Sequence, residues 1–265
     1  MEIIGYIASG IIGISLGLIG GGGSILTVPV LVYLFGIEPV LATAYSLFIV
    51  GVTSLVGALS KYRQGLVELK TAVIFGIPSV AAVFVTRKFL VPLIPVHLFS
   101  VSGLEITKPV FIMVLFAFFM AFVSYSMIKN GIEENGDQQP QRFNYPMIVL
   151  EGTVVGILTG LVGAGGGFLI VPALVVFSKL PMKMAVGTSL LIIAAKSLIG
   201  FTGDLAHYTM DWEMLLIVTT AAIGGIFIGN ALNKKVPGER LKKWFGWFVL
   251  GMGIFVIVKE LFFNK

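Results

Sequence analysis

Lys196 is the residue with the clearest chemical consequence. It lies in GTSLLIIAAKSLIGF, with twelve uncharged residues before it and seven after. A lysine at mid-helix costs about 2.5–3.5 kcal/mol on membrane-insertion scales and marks a functional site by default. The structural alternative is snorkelling towards the interface, eight residues away at Asp204. Facing a polar interior, its ammonium would attract an anion. Hydroxyls stand nearby in the triplets TSL (Thr188, Ser189) and YSL (Tyr45, Ser46), with Ser54 and Ser197 beyond. They could donate to an oxyanion, although Ser and Thr in membrane helices commonly bond their own backbone. A third donor type is backbone N–H in two glycine runs, Gly20, Gly22, Gly23 and Ser24, and Gly163, Gly165, Gly166 and Gly167. Glycine breaks that restart a helix offer unpaired N–H groups and a positive dipole end, which suit an anion. Glu151, Asp204 and His207 are titratable groups beside apolar runs and are candidates for proton coupling. Each also lies near an expected interface, where a solvated loop residue is the plainer reading. Zero cysteines exclude thiolate catalysis, disulfides and iron–sulfur ligation, and two histidines, His97 and His207, leave little for a metal. No cofactor and no metal are expected.

The elements that would hold these groups are apolar throughout. Of 265 residues 57% are hydrophobic and 12% charged, against about a quarter charged in soluble domains. Mean hydropathy is +1.02. Uncharged runs cover 3–37, 39–60, 71–86, 109–128, 152–178 and 214–233, with weaker runs at 184–203 and 244–258. Several reach the roughly 17–25 residues that a spanning helix needs. A soluble helical core would show charged faces at a 3.6-residue period, and none is found. The fold class expected is an all-α polytopic membrane protein. Its net charge of +5 is ordinary for such a chain, because Lys and Arg collect in cytoplasmic loops, so no nucleic acid is implied. The start, MEIIGYIASG, lacks the basic region of a cleaved signal and is read as retained.

Shifted by 143 residues the sequence matches itself without a gap. Gly13 falls on Gly156, Gly17 on Gly160, Gly20 on Gly163, Gly22 and Gly23 on Gly165 and Gly166, and Pro29 on Pro172. Ala42 meets Ala185, Ser46 meets Ser189, Ser54 meets Ser197 and Gly57 meets Gly200. The division is therefore a first membrane repeat at 1–128, a hydrophilic linker at 129–144 and a second repeat at 145–265. Pieces are expected at 3–19, 24–35, 39–60, 69–86 and 108–128, then 146–162, 167–178, 183–203, 212–232 and 241–259. The first repeat carries an extra segment, 88–107, expected to be interfacial or an external loop. Paired halves interrupted by glycine at the same place are the pattern of a secondary transporter.

The length of the first run explains the glycines. One helix over 3–37 would be about 52 Å long, well beyond the ~30 Å hydrocarbon layer. The chain must turn, and glycine reaches the backbone angles required. A re-entrant half-helix is expected from near Gly23 or Ser24, with the two tips converging on a shared polar space. At Gly13/Gly17 and Gly156/Gly160 the GxxxG spacing reads instead as close helix packing. If each glycine-broken pair makes no net crossing, three crossings per half invert the second. Twelve basic residues then share one face and five the other, which by the positive-inside rule puts both termini outside.

Two enzyme readings fail on the residues. GGGGSILTVP lacks the third glycine of a dinucleotide fingerprint. A serine hydrolase using Ser24 has Gly167 at the matching position and no histidine nearby. An anion channel shares the repeats and re-entrant segments and stays open.

The doubled GxGG…VPxL hairpins, each followed by A(V/T)xxSL…SLxG, resemble the TauE/SafE family of sulfite exporters, also called the toluene sulfonate uptake permease family. AVGTSLLIIAAKSLIGFTGDL is closest to the family's pattern, and the resemblance runs from about Gly5 to Val258 outside the linker and the segment 88–107. It implies a multi-pass permease of a prokaryotic cell membrane for sulfite, thiosulfate or organosulfonates. The family often has asparagine where this chain has Lys196. Combined with the repeat, the reading is alternating access, with a small anion held at Gly20–Ser24 and Gly163–Gly167 by backbone N–H groups, Lys196 and the hydroxyls of Ser46, Thr188 and Ser189. The alternatives are an anion channel or a carrier for a non-sulfur anion such as a carboxylate. The partners expected are a small anionic substrate, the lipid bilayer and, in a homo-oligomer, further copies of the chain.

Overall fold

The computed structural model describes residues 2–101, 104–129, 145–163, 166, 167, 170, 171, 174, 178, 180–233 and 238–260. The linker expectation therefore falls, from residue 130 on, outside the described residues, as do most of the piece 167–178 and Gly165.

Helices follow the apolar runs closely. In the first half they are α1 (Glu2–Ile19), α2 (Thr27–Tyr33), α3 (Pro39–Arg63), α4 (Leu69–Val85) and α5 (Lys108–Lys129). In the second they are α6 (Tyr145–Val162), α7 (Met182–Asp204), α8 (Trp212–Asn233) and α9 (Gly238–Val258). Their ends are locally encoded. Glu38 caps α3 by accepting from the N–H of Leu41, with Pro39 in the first turn. Asp211 caps α8 by accepting from Met214 N–H at 3.1 Å. At the far end of α3, Gly65 has φ +70°, and Gly65 and Leu66 donate back to Tyr62 and Lys61, the paired bonds that close a helix at a glycine.

Four stretches among the described residues are long and apolar enough to cross a membrane: Pro39–Arg63, Leu69–Leu93, Lys183–Asp204 and Trp212–Asn233. Shorter apolar helices include Ile4–Ile19 and Pro146–Val162. Large apolar side chains line their outer faces, such as Ile4, Ile7 and Ile11 on α1 and Leu69, Val73 and Ile77 on α4. Hydroxyls point inwards instead: Ser24, Thr43, Ser46, Thr53, Ser54, Thr188, Ser189 and Ser197 are buried. Apolar outside and polar inside suits a chain solvated by lipid.

Packing between halves is exchange-symmetric. The first helix of each half lies against the fourth of the other, α1 on α8 and α6 on α4. Gly13 and Gly17 admit the backbone of Ala222 and Ile226, and Gly152 and Gly156 admit that of Phe75 and Ser79. The GxxxG glycines thus serve packing, and both pairs of helices run parallel. The two third helices, α3 and α7, run antiparallel, with Gly51 against Leu198, Gly57 against Leu190 and Gly200 against Leu47.

Two expectations need correction. The first glycine run and the residues just after it form a 3-10 helix over Gly20–Leu26, and the α-helical part begins only at Thr27. Four glycines favour tight turning over an immediate α-helix, so part of their N–H complement is spent in i→i+3 bonds. The plan is also not wholly α. The segment 88–107, with the two residues before it, forms a π turn (Thr86–Leu90), a helical turn (Val91–Leu93) and an antiparallel strand pair, His97–Val101 with Leu104–Thr107.

Candidate functional site

Both glycine runs begin with a left-handed residue, Gly20 at φ +71° and its repeat mate Gly163 at φ +72°. This conformation ends α1 and α6 and suits glycine alone among common residues. In the first half the chain then doubles back. Phe35, beyond α2, meets Gly5 and stacks edge-on with Tyr6 at 5.5 Å, so the start of α1 and the end of α2 lie together. The glycine run is the tip of this hairpin.

The two tips touch. A methyl group added at Gly21 would fall on the Cα of Gly167, one added at Gly167 would fall on that of Gly21, and both would meet Ile193. Gly20 faces Val186 and Ser189 on α7, and Gly163 faces Thr43 on α3. Gly23 packs on Ser15 and Leu16 of its own hairpin, and Gly22 lies in the 3-10 turn.

Lys196 is fully buried on α7. Its Nζ donates to Thr159 Oγ1 at 3.2 Å, and it lies against Gly166, where any Cβ would collide with Thr159 and crowd the ammonium. Gly166 has φ +65°, so the second tip presents bare backbone to this cation. By the 143-residue shift, Lys196 corresponds to Thr53. The contacts Gly51–Leu198 and Gly57–Leu190 bracket both positions, placing them at the crossing of α3 and α7.

The predicted hydroxyls divide. Ser46 Oγ, with Thr53, Ser54 and Ser197, is buried without a hydrogen-bond partner among the described residues. Ser24 donates to Gly21 O at 2.7 Å and Ser189 to Val186 O at 2.8 Å. Thr188 accepts from Glu68 N–H at 2.9 Å, which ties it to the α3–α4 loop rather than to the tips. Of the proton-coupling candidates, Glu151 is half-buried on α6 and His207 is exposed.

Asp204 is fully buried, and its partner comes from the turn that follows α4. Arg87 is itself fully buried, with Nη1 3.5 Å from Asp204 Oδ2 and 2.9 Å from Thr43 Oγ1. Thr43 in turn backs Gly163, so this ion pair braces the second tip from behind. In the loop beyond α7, burial first and then the Asp204 charge raise the Tyr208 phenol above its ordinary pKa. The pair spans 117 positions, and RK at a helix end looks like an interfacial anchor. One signal was available: the 143 shift sets Arg87 opposite Asn230 and Asp204 opposite Lys61. Lys61 Nζ, at the other end of the bundle, lies 3.3 Å from Asn233 Oδ1, so a polar contact between halves recurs there.

Apolar outer faces, buried hydroxyls and a buried lysine at the crossing of two duplicated halves define a multi-pass membrane protein. The chain belongs to the sulfite exporter TauE/SafE family, whose model matches residues 6–256, a family of membrane transporters. Its relatives include a probable membrane transporter protein of Xylella fastidiosa (strain 9a5c), 30% identical over 94% of this chain and 92% of that one. YdhB of Bacillus subtilis (strain 168), a probable membrane transporter protein, is 28% identical over 88% and 90%. MJ0441 of Methanocaldococcus jannaschii, also a probable membrane transporter protein, is 26% identical over 97% and 94%. No solved structure matches the chain significantly.

Proposed function

We propose that the protein is a secondary transporter for small sulfur-containing anions such as sulfite, thiosulfate or organosulfonates, working by alternating access in a prokaryotic cell membrane. The observation that carries the reading is the meeting of the two glycine tips beside buried Lys196. The anion sits there, drawn by the ammonium and held by tip N–H groups and the free Ser46 hydroxyl. The described residues of the glycine runs shape the backbone around it, Gly165 joins them by the sequence repeat alone, and Ser189 and Thr188 line the approach along α7. The halves at 1–128 and 145–265 are inverted repeats, and each hairpin enters and leaves on one side. Support comes from the antiparallel course of α3 and α7 and from Phe35 lying beside Gly5. Rocking one half against the other across the α3–α7 crossing exposes the anion to each side in turn.

The test is uptake of labelled sulfite and thiosulfate into proteoliposomes. Saturable flux that falls at least tenfold in Lys196→Gln is expected. Wild-type flux in Lys196→Gln sinks the site, uptake of carboxylates alone sinks the sulfur assignment, and unsaturable single-channel currents sink the carrier mechanism.

A further inference from the structure

Asp and Glu are absent from 3–37, 39–67, 69–104, 106–132, 152–203 and 214–238. The carboxylates nearest to the Lys196–Thr159 contact along its two helices are Asp204 and Glu151. Each is eight residues away, about 12 Å of helix, and on opposite sides because α6 and α7 both run parallel to α4. Asp204 already serves Arg87 at 3.5 Å. Among the described residues Lys196 has a hydroxyl partner and no carboxylate. The described residues thus bury the Lys196 ammonium at the α3–α7 crossing and supply no counter-charge for it, while Arg87 is given one.

From this we infer that the transported anion is itself the counter-ion, and that the site selects singly charged oxyanions, sulfonates and hydrogen sulfite, over dianions of the same size. The inference rests on the anion site proposed above and narrows its substrate, ranking thiosulfate, a dianion, behind sulfonates and hydrogen sulfite. One negative charge beside Lys196 leaves the buried site neutral. A dianion is attracted about twice as strongly, yet the Born cost of removing it from water rises with the square of its charge, roughly fourfold. It also leaves one negative charge buried without a partner, a state that low-dielectric interiors penalise heavily. Thr53, at the matching position of the first half, has a buried hydroxyl with no partner among the described residues and adds no second cation.

Methanesulfonate and sulfate are tetrahedral, similar in size, and differ by one charge. Binding of each to the purified full-length protein, read by thermal shift and by competition with labelled sulfite in proteoliposomes, is the experiment. The expected result is at least tenfold preference for methanesulfonate, kept in Lys196→Arg and collapsing towards unity in Lys196→Gln. Thr53→Lys, if it folds, moves the preference towards sulfate; the arginine and glutamine variants decide the matter without it. Sulfate bound as tightly as methanesulfonate, with both weakened in Lys196→Gln, overturns charge matching and leaves the site standing. Equal binding of either anion by wild type and Lys196→Gln overturns the site itself.

Discussion

At the scale of single residues, the most consequential contact is the buried pair Arg87–Asp204. Ion pairs of this kind add little net stability over apolar residues, but removing one partner strands the other charge, at about 3–5 kcal/mol. Arg87→Ala or Asp204→Ala is therefore expected to lower the thermal midpoint in detergent markedly, whereas Arg87→Met with Asp204→Leu restores most of the loss. Equal midpoints for the single and double variants would contradict the pairing. Lys196 was legible in the sequence because a charge with twelve uncharged residues before it and seven after is conspicuous by itself. Arg87 was not, because its burial depends on the π turn that extends α4 and on a partner far along the chain. Thr159 was missed for a related reason: a hydroxyl on an apolar helix means something only once the lysine that it receives is placed.

At the scale of elements, the first glycine run is where the chain gives up regular α-helix, and its turn meets Gly167 of the second run. The turn-back in the first half was readable from a run too long for the bilayer and from glycines that break it. The 3-10 stretch was not readable, since α and 3-10 geometry compete closely over four glycines and tertiary contact decides between them. Two glycines separate shape from contact. Gly36 has φ +69° with open space around it, so Gly36→Ala costs only the left-handed conformation, about 1–2 kcal/mol, and is expected to leave transport unchanged. Gly21 has no left-handed angle, but its Cα faces Gly167. Gly21→Val is therefore expected to separate the tips and to abolish uptake in proteoliposomes. Uptake by Gly21→Val at the Gly36→Ala level would mean that the tips need not meet for function.

At the scale of the whole molecule, the helix directions and the basic residues independently support the inverted topology proposed above. Antiparallel α3 and α7 put the α3–α4 loop and the α7–α8 loop at opposite ends of the bundle. The first is flanked by Lys61, Arg63 and Lys70, while residues 204–211 hold Asp204 and Asp211 and no Lys or Arg, so the positive-inside rule assigns the first to the cytoplasm. The chain contains no cysteine, which makes accessibility mapping direct. In cells, Gln64→Cys is expected to resist a membrane-impermeant maleimide until the membrane is permeabilised, and His207→Cys, on an exposed side chain, to react at once. Parallel halves would give both positions the same protection. That outcome would conflict with the course of α3 against α7 and would sink the proposal that two inverted halves rock to move an anion.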